Sequence, residues 1–403
     1  MSLRIFIIST MYTGNLRLFY SKFQSHNKLS YKEHFDLLME DTTEFAGSYY
    51  RTLRQIGIET GCVIANDNDL INKWRSENGF KTNDRNKIFI EQIRQFDPDV
   101  LWIDNLSVTD VTFLQDIRRT VKSVKLILCF HCSPFGPKIL ERLPFIDFTV
   151  TCTPGLKIYL ESIGYRSYFV YHGFDSSILT KTGCANQLVS EDIVFSGSLA
   201  TGPGFHRERI QLIENILKAG LRISLYVNTE KQYRIKAKQI MNLINRSFKT
   251  AGFEKFLDYF PVLHYGEEKV KNYPELILQK KLDPVYGTEM YNLFANSKIV
   301  LNNHLGATGN YAGNMRLFEV TGVGSCLLTD NKINITDLFI PGNEIIVYDN
   351  INDCIEKVKW LLENDYKRKK IALDGQKRTL SDHTVEKRCF QIKSIIDKEL
   401  EKR

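Results

Sequence analysis

The residues from 302 to 330 have the types and spacing of a phosphate-binding loop that leads into a helix. The segment, NNHLGATGNYAGNMRLFEVTGVGSCLLTD, follows an apolar run, passes Gly306, Gly309 and Gly313, and becomes amphipathic at Asn314. Glycines let the backbone approach a ligand closely, and the N–H groups at a helix start attract phosphate. Asn314 is a favourable residue for capping that helix start. The pattern therefore predicts a loop and a helix that bind a phosphorylated ligand.

Two charged residues of the same segment extend this prediction to a nucleotide. Arg316 supplies a fixed cation with which a diphosphate can pair. Glu319 is a polar residue among Leu317, Phe318 and Val320, and a carboxylate there can accept hydrogen bonds from both hydroxyls of a ribose. The alternative is a loop whose glycines only make turns, followed by a helix that exposes Glu319 to solvent. The spacing alone does not decide between the two.

The segment from 193 to 209, IVFSGSLATGPGFHRER, is a second candidate for phosphate binding. Its apolar run continues through Gly197 into a glycine-rich loop, and a helix is predicted to follow. His206, Arg207 and Arg209 crowd the start of this helix, where the helix dipole disfavours cations. A bound anion explains their position, and exposure of the arginines to solvent is the alternative. The sequence has no P-loop motif and no complete GxGxxG after the first predicted strand.

The first half of the chain offers candidates for a catalytic base. Gly14 lies in the loop of residues 11–18 that follows the first predicted strand, and this loop is expected to face a cleft. Asp104 ends the run VLWID, and His131 follows the run LILCF. Ligands of open α/β sheets bind at the carboxyl ends of strands, so both side chains are expected there. Either can take a proton from an acceptor hydroxyl, although His131 taken alone also fits a buried core histidine.

Other polar residues of the first half carry weaker indications. His172 and Asp175, in YHGFD, are expected either to cap the cleft or to make a turn. Cys129 and Cys132 have CxxC spacing, but a metal site would need a second pair of ligands, so they are interpreted as reduced structural thiols. The sequence also lacks a DxD-like pair that would indicate a metal site. No metal is therefore expected.

Short apolar runs alternate with amphipathic segments along the whole chain, which predicts two α/β units with mainly parallel sheets. In the first unit, strands are predicted at residues 3–9, 62–65, 100–104, 124–130, 148–152 and 168–171, and helices at 41–57, 88–96, 111–121 and 156–163. In the second, strands are predicted at 193–196, 223–227, 299–302, 326–329 and 345–348, and helices at 207–218, 231–249, 289–296, 354–363 and within 366–403. The polar stretch 174–190, which contains Gly183, indicates a linker. A ligand is expected in the cleft between the two units.

Length and composition agree with two globular domains of a cytoplasmic enzyme. The chain has 403 residues, of which 43% are hydrophobic and 25% are charged, and its formal net charge is +7. The basic residues are scattered apart from the KRKK run at 367–370, which is interpreted as a solvated helix face, so nucleic acid is not an expected partner. No apolar stretch is long enough to span a membrane, and residues 1–9 are interpreted as a buried strand rather than a signal peptide. Peripheral contact with an anionic membrane stays open.

Several segments resemble the CgeB-type, glycosyltransferase family 1-like proteins of bacteria, which have the GT-B fold. In the first half they are CTPGLKIYLESIGY and YHGFD. In the second half they are FSGSLATGPGFHRERIQLIENI, GNMRLFEVTGVGSCLLTD, LFIPGNEIIVYDN and IALDGQKRTLSDHTVEKR. These segments extend over most of the chain, and they are specific in combination although each is weak singly.

The resemblance implies roles for residues of the second half. In related enzymes the glutamate of an EAxxxG-like helix holds the donor ribose, and the segment EVTGVG assigns this role to Glu319. The backbone of Gly313 would then meet the diphosphate, and the Hx2R pattern from His206 to Arg209 would bind the donor phosphates. Retaining enzymes of this group often carry an earlier glutamate in an Ex7E pattern, but Tyr311 stands at that position here. The stereochemistry is therefore left open.

The resemblance also implies a fold and a reaction. The expected architecture is GT-B, with two Rossmann-like domains that face a cleft: an acceptor domain at 1–178, a donor domain at 186–382, and a C-terminal helix at 383–403 that packs back on the first domain. The apolar face of that helix is predicted at Phe390, Ile392, Ile395 and Ile396. The expected reaction transfers a sugar from a nucleoside-diphosphate sugar to a hydroxyl of a glycan, a cell-surface polysaccharide or a protein, without metal or cofactor. The alternatives are a sugar-nucleotide epimerase and a nucleotide-binding module without activity.

Overall fold

The structure of the protein is a computed structural model that describes residues 2–132, 136–182, 191–201, 206–250, 269–304 and 310–403. For Pro137 and residues 248–250 it describes the backbone only. The linker residue Gly183 and the loop residues Gly306 and Gly309 lie outside the described residues, as do residues 202–205 of the other glycine-rich loop.

The first half of the chain forms a sheet of parallel strands. They are β1 (Arg4–Ser9), β2 (Glu59–Ile64), β3 (Val100–Ile103), β4 (Leu126–Phe130), β5 (Phe148–Thr151) and β6 (Ser167–Phe169). Their order across the sheet is β2-β1-β3-β4-β5-β6. All five residues of β4 are buried, as expected for a strand in a sheet with helices on both faces. The order changes direction between β1 and β3, so the carboxyl ends of these two strands border a crevice.

Nine helices are described in the first half. They are α1 (Thr13–Lys22), α2 (Tyr31–Asp41), α3 (Phe45–Gln55), α4 (Asn68–Glu77), α5 (Arg85–Phe96), α6 (Val111–Thr120), α7 (Pro137–Leu140), α8 (Pro154–Ser162) and α9 (Ile178–Lys181). The predicted helix at 41–57 is wrong at its start, because Asp41 is the last residue of α2 and α3 begins only at Phe45. A capping box formed by Ser30 and Glu33 starts α2 earlier, and the extended backbone of Thr42 separates it from α3.

The second half forms another sheet of parallel strands. They are β7 (Glu191–Leu199), β8 (Ile223–Thr229), β9 (Lys281–Leu282), β10 (Ser297–Leu301), β11 (Cys326–Asp330) and β12 (Ile346–Tyr348). Their order is β12-β11-β10-β7-β8-β9, which is the order of a dinucleotide-binding Rossmann sheet. The order reverses between β7 and β10, and the crevice at the carboxyl ends of these two strands is where such sheets bind ligands.

Eight α-helices are described in the second half of the chain. They are α10 (Arg207–Lys218), α11 (Gln232–Thr250), α12 (Glu275–Lys280), α13 (Gly287–Ala295), α14 (Arg316–Gly322), α15 (Ile351–Glu363), α16 (Asp365–Asp382) and α17 (Val385–Leu400). The predicted helix at 207–218 has the observed bounds of α10. Among the described residues, no helix is both long and apolar enough to cross a membrane.

The C-terminal helix α17 packs back on the first domain, as predicted. Its residues Val385, Cys389, Ile392 and Ile396 are buried in the same apolar cluster as β1 and α3 of the first half. The prediction that Phe390 belongs to this apolar face is wrong, because Phe390 is 51% exposed. The buried residues recur every three or four positions, and Phe390 lies beside that stripe rather than on it.

Two glycines allow the domains to approach each other closely. A Cβ atom at Gly14, in the first turn of α1, would collide with the ring of Tyr286 in the second half. A Cβ atom at Gly313 would lie 2.6 Å from the carbonyl oxygen of Cys152, which directly follows β5. Both positions therefore exclude a side chain. The domain boundaries at residues 178, 186 and 382 stay predictions.

Candidate functional site

Two arginines converge on the carboxyl end of β7, beside the point where the strand order reverses. Arg209, in the first turn of α10, donates from Nη1 to the carbonyl oxygen of Ser198 at 3.1 Å and from Nη2 to that of Asn303. Arg316, the first residue of α14, donates from Nη2 to the carbonyl oxygen of Ser196 at 3.1 Å. Two predicted donor-binding cations are thus brought together by different elements.

The two guanidinium groups share a site that is largely shielded from water. Arg209 is 7% exposed, and burial lowers its pKa to about 10. The nearby charge of Asp330 acts to raise this pKa, whereas the charge of Arg316 lowers it further. Among the described residues, no carboxylate lies within ion-pair distance of Arg209. A desolvated cation close to a second cation is stabilised by an anion between or beside them. The site is therefore suited to a phosphate or diphosphate group.

Glu319 lies next to this pair of arginines. Its Oε2 atom forms an ion pair with Nη1 of Arg316 at 2.8 Å, and the Glu319 side chain is 13% exposed. The alternative in which Glu319 occupies a solvated helix face does not fit this burial. Its charge contributes to the raised pKa of Tyr12 and of His172, so Glu319 lies near the first domain. The role of Glu319 in binding ribose stays a prediction.

Asn314 does not cap a helix as predicted. The helix α14 begins at Arg316 after Met315, which has helical backbone angles and makes no side-chain cap. The side chain of Asn314 instead donates to Oδ1 of Asn302 at 2.8 Å and so ties the loop to the end of β10. Gly313, whose backbone was predicted to meet a diphosphate, lies against the first domain at Cys152.

The remaining predicted donor residues differ in burial. Gly197 lies within β7 near the Arg209 guanidinium, where a Cβ atom would fit at ordinary contact distances. His206 directly precedes α10, and burial together with the charge of Arg209 lowers its pKa, so it is neutral near pH 7. Arg207 is exposed, in contrast to Arg209. The structure thus distinguishes the two arginines of the Hx2R segment, which the sequence pattern did not.

A polar cluster at the ends of β10 and β11 was not predicted. Nδ1 of His304 lies 2.7 Å from Oδ1 of Asp330, and Lys332 contacts Oδ2 of Asp330 at 3.0 Å. Burial opposes ionisation of Asp330, but the hydrogen bond and charge of His304 and the charge of Lys332 hold its pKa below the usual range. Nε2 of His304 is buried and has no hydrogen-bond partner among the described residues. The cluster lies in the second half of the chain at the same sheet edge as the arginines, so it is a further candidate for ligand contact.

Asp104 has the environment of a general base. Ser9, at the end of β1, donates from Oγ to Oδ2 of Asp104 at 2.6 Å. Burial raises the pKa of Asp104 to about 6, while the hydrogen bond from Ser9 and the charge of His172 act in the opposite direction. The pair lies where the strand order of the first sheet changes direction. A carboxylate with a pKa near neutrality is well matched to proton transfer.

His131 lies at the same sheet edge, directly after β4. Its backbone N–H donates to the carbonyl oxygen of Val150 at 2.9 Å, and the residue is 5% exposed. The predicted location at a carboxyl strand end is therefore observed. Its role as a base stays a prediction, because the burial is equally expected of a core histidine.

Asp175 is occupied by structural contacts. Its carboxylate accepts hydrogen bonds from Ser48 at 2.7 Å and from the backbone N–H of Ser177 at 3.0 Å, and it pairs with Arg51 at 2.6 Å. Burial acts to raise the pKa of Asp175, but these hydrogen bonds and the charge of Arg51 outweigh it and lower the pKa. Of the two interpretations made from the sequence, the turn fits these contacts better than a group that caps the cleft.

Glu44, directly before α3, is a carboxylate that was not predicted to belong to the site. It accepts hydrogen bonds from the backbone N–H of Tyr12 at 3.0 Å and from the side chain of Asn15. Burial raises the pKa of Glu44 to about 7. Nearby, a cavity of about 330 Å³ is lined by Asn15 and Thr43 of the first half and by Tyr286 of the second. Glu44 is therefore a second carboxylate that can exchange protons near neutral pH at the domain interface.

Cys132, Cys152 and His172 form a cluster at the carboxyl edge of the first sheet. One ligand atom from each lies within 4.8 Å of the other two. Burial disfavours a thiolate at Cys152, but hydrogen bonds from Cys132 and His172 and the charge of His172 lower its pKa. Burial also opposes protonation of His172, yet Cys152 and Glu319 together raise its pKa. His172, which was expected either to cap the cleft or to make a turn, thus lies in a cluster with two cysteines.

Comparisons with known proteins agree with this architecture. Sucrose-phosphate synthase from Thermosynechococcus elongatus has a similar structure with a TM-score of 0.56 at 9% sequence identity, and the match covers 100% of both chains. HepE from Anabaena in complex with UDP and glucose matches with a TM-score of 0.54 at 11% identity over 98% of this chain and 100% of that chain. A glycosyltransferase from Rickettsia africae matches with a TM-score of 0.53 at 9% identity over 99% of both chains. The fold is GT-B.

The sequence comparisons concern the second half of this GT-B protein. Residues 231–394 match the family model described as glycosyl transferase-like, a range that contains α14 with Arg316 and Glu319. This match bears out the prediction of a glycosyltransferase-type protein, and the CgeB-like subgroup is not distinguished by it. A comparison with curated protein sequences finds no match.

Proposed function

We propose that the protein is a glycosyltransferase that moves a sugar from a nucleoside-diphosphate sugar to an acceptor hydroxyl in the cleft between its domains. The observation that carries this proposal is the convergence of Arg209 and Arg316 on the end of β7, with Glu319 beside them. Two partly desolvated cations match a diphosphate, and a neighbouring carboxylate matches the hydroxyls of a ribose. A nucleoside diphosphate contains both groups in one molecule.

In this proposal the second domain binds the sugar donor and the first domain binds the acceptor. The arginines of the donor domain stabilise the negative charge that develops on the leaving diphosphate. The acceptor hydroxyl lies on the side of the first domain, where His131 or Asp104 takes its proton if the reaction inverts the sugar configuration. Tyr311 replaces the earlier glutamate of the retaining pattern, and the stereochemistry stays open.

A thermal-shift screen of UDP-, GDP-, ADP-, CMP- and dTDP-sugars tests the proposal and identifies the nucleobase of the donor. A ligand that binds only the native protein raises the unfolding midpoint, so one of these donors is expected to do so. The stabilising donor is then incubated with and without candidate acceptors. Consumption of donor that requires an acceptor supports a transferase, conversion without acceptor indicates an epimerase, and binding without conversion under either condition indicates a module that lacks activity.

Donor binding is expected not to require a metal ion. Arg209 and Arg316 supply the positive charge that a metal would otherwise provide to a diphosphate. Isothermal titration calorimetry with the stabilising nucleoside diphosphate is expected to give the same dissociation constant with and without a chelator. Loss of binding in the chelator, restored by Mg²⁺, would contradict metal-independent donor binding.

The substitution Glu319→Gln is expected to weaken donor binding by about tenfold or more while the fold stays intact. A carboxylate that accepts two ribose hydroxyls makes hydrogen bonds worth roughly 1.5–3 kcal/mol each, and the neutral amide makes weaker ones. Calorimetry measures the dissociation constant, and circular dichroism reports the fold. Glu356→Gln, an exposed glutamate of α15 in the same domain, is the matched control. An unchanged dissociation constant in Glu319→Gln would remove Glu319 from the donor site.

The finer assignments are part of the same proposal. We expect a hexosyl donor, a glycan, cell-surface polysaccharide or protein as the acceptor, and the CgeB-like subgroup of bacterial enzymes, all implied by the resemblance of the sequence motifs. A cytoplasmic location is proposed because the described cysteines are free thiols and nucleotide sugars are polar, charged donors. The donor screen and an acceptor assay address these assignments directly.

A further inference from the structure

The fold brings Cys132, Cys152 and His172 together although they are far apart in the sequence. The strands β4 and β5 are adjacent and in register at Phe130 and Val150, so the residues two positions further along each chain are also neighbours. The next strand, β6, pairs with β5 and ends shortly before His172. Each of the three side chains is thus attached close to the carboxyl end of a strand of the same sheet, which holds the cluster in place.

The separation of the three side chains suits a single metal ion. The two Sγ atoms and a ring nitrogen of His172 lie within 4.8 Å of one another. Around a tetrahedral Zn²⁺ ion with bonds of about 2.3 Å to sulfur and 2.0–2.1 Å to nitrogen, ligand atoms lie roughly 3.5–3.8 Å apart. Small side-chain rotations therefore close the cluster onto one ion. Thiolate and imidazole ligands select Zn²⁺ and other thiophilic cations over Mg²⁺ or Ca²⁺.

We propose that Cys132, Cys152 and His172 bind a thiophilic divalent cation such as Zn²⁺ at the carboxyl edge of the first sheet. Three protein ligands leave the fourth tetrahedral position to a water molecule or to an oxygen of a ligand in the cleft. This inference departs from the sequence-based expectation that the protein holds no metal. The cluster belongs to the first domain, so the donor diphosphate remains with Arg209 and Arg316.

A disulfide between Cys132 and Cys152 is the competing use of the same residues. It would remove two protons and two electrons from the thiols and transfer the electrons to an oxidant such as a second disulfide. That reaction gives no role to His172, which hydrogen-bonds to Cys152. A metal site uses all three groups, and for this reason we favour it.

Titration of the reduced full-length protein with Co²⁺ and then Zn²⁺ tests the proposal. The wild type is expected to show the near-ultraviolet charge-transfer absorption of a thiolate-bound Co²⁺, to saturate at one equivalent, and to lose the band when Zn²⁺ displaces Co²⁺. The variants Cys132→Ser and Cys152→Ser are expected to lose this band. His172→Ala is expected to lose stoichiometric binding, and His172→Cys, which supplies another thiolate, is expected to retain it.

Cys129→Ser is the matched control for these variants. Cys129 is the other cysteine of the CxxC spacing, but it is buried in the apolar cluster on the opposite face of the sheet, so its replacement is expected to leave the Co²⁺ band unchanged. Circular dichroism establishes that each variant is folded. The proposal is overturned if the reduced wild type shows no thiolate–Co²⁺ band, if the band survives in both Cys132→Ser and Cys152→Ser, or if mass spectrometry finds these two cysteines in a disulfide that prevents binding.

Discussion

Replacing His131 with alanine is expected to lower turnover by about 10²–10⁴-fold while donor affinity stays nearly unchanged, because loss of a general base removes a contribution of that size. The residue follows β4 at the carboxyl edge of the first sheet, where we propose that the acceptor binds. Single-turnover assays with saturating donor measure the chemical step, and calorimetry measures donor affinity separately. The pH–rate profile is the decisive readout, since a base must be unprotonated and the wild-type rate therefore falls as the pH decreases through its pKa.

The two alternative bases give distinguishable profiles. If Asp104 takes the proton, the acidic limb lies near pH 6, it persists in His131→Ala, and Asp104→Asn removes it. If Glu44 takes the proton, the limb lies near pH 7 and Glu44→Gln removes it. If all three variants keep the limb, either the base is another group or the donor phosphate itself takes the proton, as expected for a retaining reaction.

The substitution Arg316→Gln is expected to lower turnover by about 10²–10³-fold, the usual effect of removing one group that stabilises developing negative charge. Arg316 is held at the end of β7 by the Ser196 carbonyl, and its guanidinium lies 4.5 Å from the centre of the Phe294 ring. This fixed position lets it act on the leaving diphosphate without reorganisation. Because the charge on that group grows in the transition state, the loss is expected to be larger in kcat than in donor affinity.

Arg222→Gln is the matched control for this prediction. Arg222 is an exposed arginine of the same domain and lies just before β8, away from the carboxyl edge of the sheet. Its replacement changes the net charge by the same amount and is expected to leave turnover near the wild-type value. Equal turnover in Arg316→Gln and Arg222→Gln would exclude Arg316 from the chemistry. Arg316→Lys tests the geometry separately from the charge, because a lysine ammonium keeps the positive charge but lacks the planar, bidentate donor groups of a guanidinium.

Local sequence signals were sufficient for most of the fold. The bounds of α10 follow from an amphipathic pattern with clear ends, and β4 follows from a short apolar run. The strand β9 was missed because its two residues, Lys281 and Leu282, are both exposed and carry no pattern. The helix α2 was missed although the capping box of Ser30 and Glu33 marks its start, so the signal was present in the sequence.

The candidate site was predictable only in its residue types. The pattern HRER indicated cations near an anion, but it did not separate buried Arg209 from exposed Arg207, because the carbonyl groups that hold Arg209 belong to Ser198 and to Asn303, almost a hundred residues away. Glu319 and Arg316 were both predicted site residues, but the ion pair between them was not predicted, and the cap of α14 is Met315 rather than Asn314.

Long-range pairing also explains why the cysteine cluster was not foreseen. The CxxC spacing directed attention to Cys129 and Cys132, which point to opposite faces of the sheet. The partner of Cys132 is Cys152, and only the register between β4 and β5 brings the two together. Spacing within one strand identifies nearby residues, whereas a site at a sheet edge is assembled from neighbouring strands.

A crystal structure of the protein with the nucleoside diphosphate that stabilises it most will show whether the two arginines form the donor site. We expect the diphosphate to lie between Arg209 and Arg316 at the carboxyl ends of β7 and β10, and Glu319 to accept hydrogen bonds from the ribose hydroxyls. A nucleotide bound at another place, or one whose phosphates contact neither arginine, would exclude this donor site.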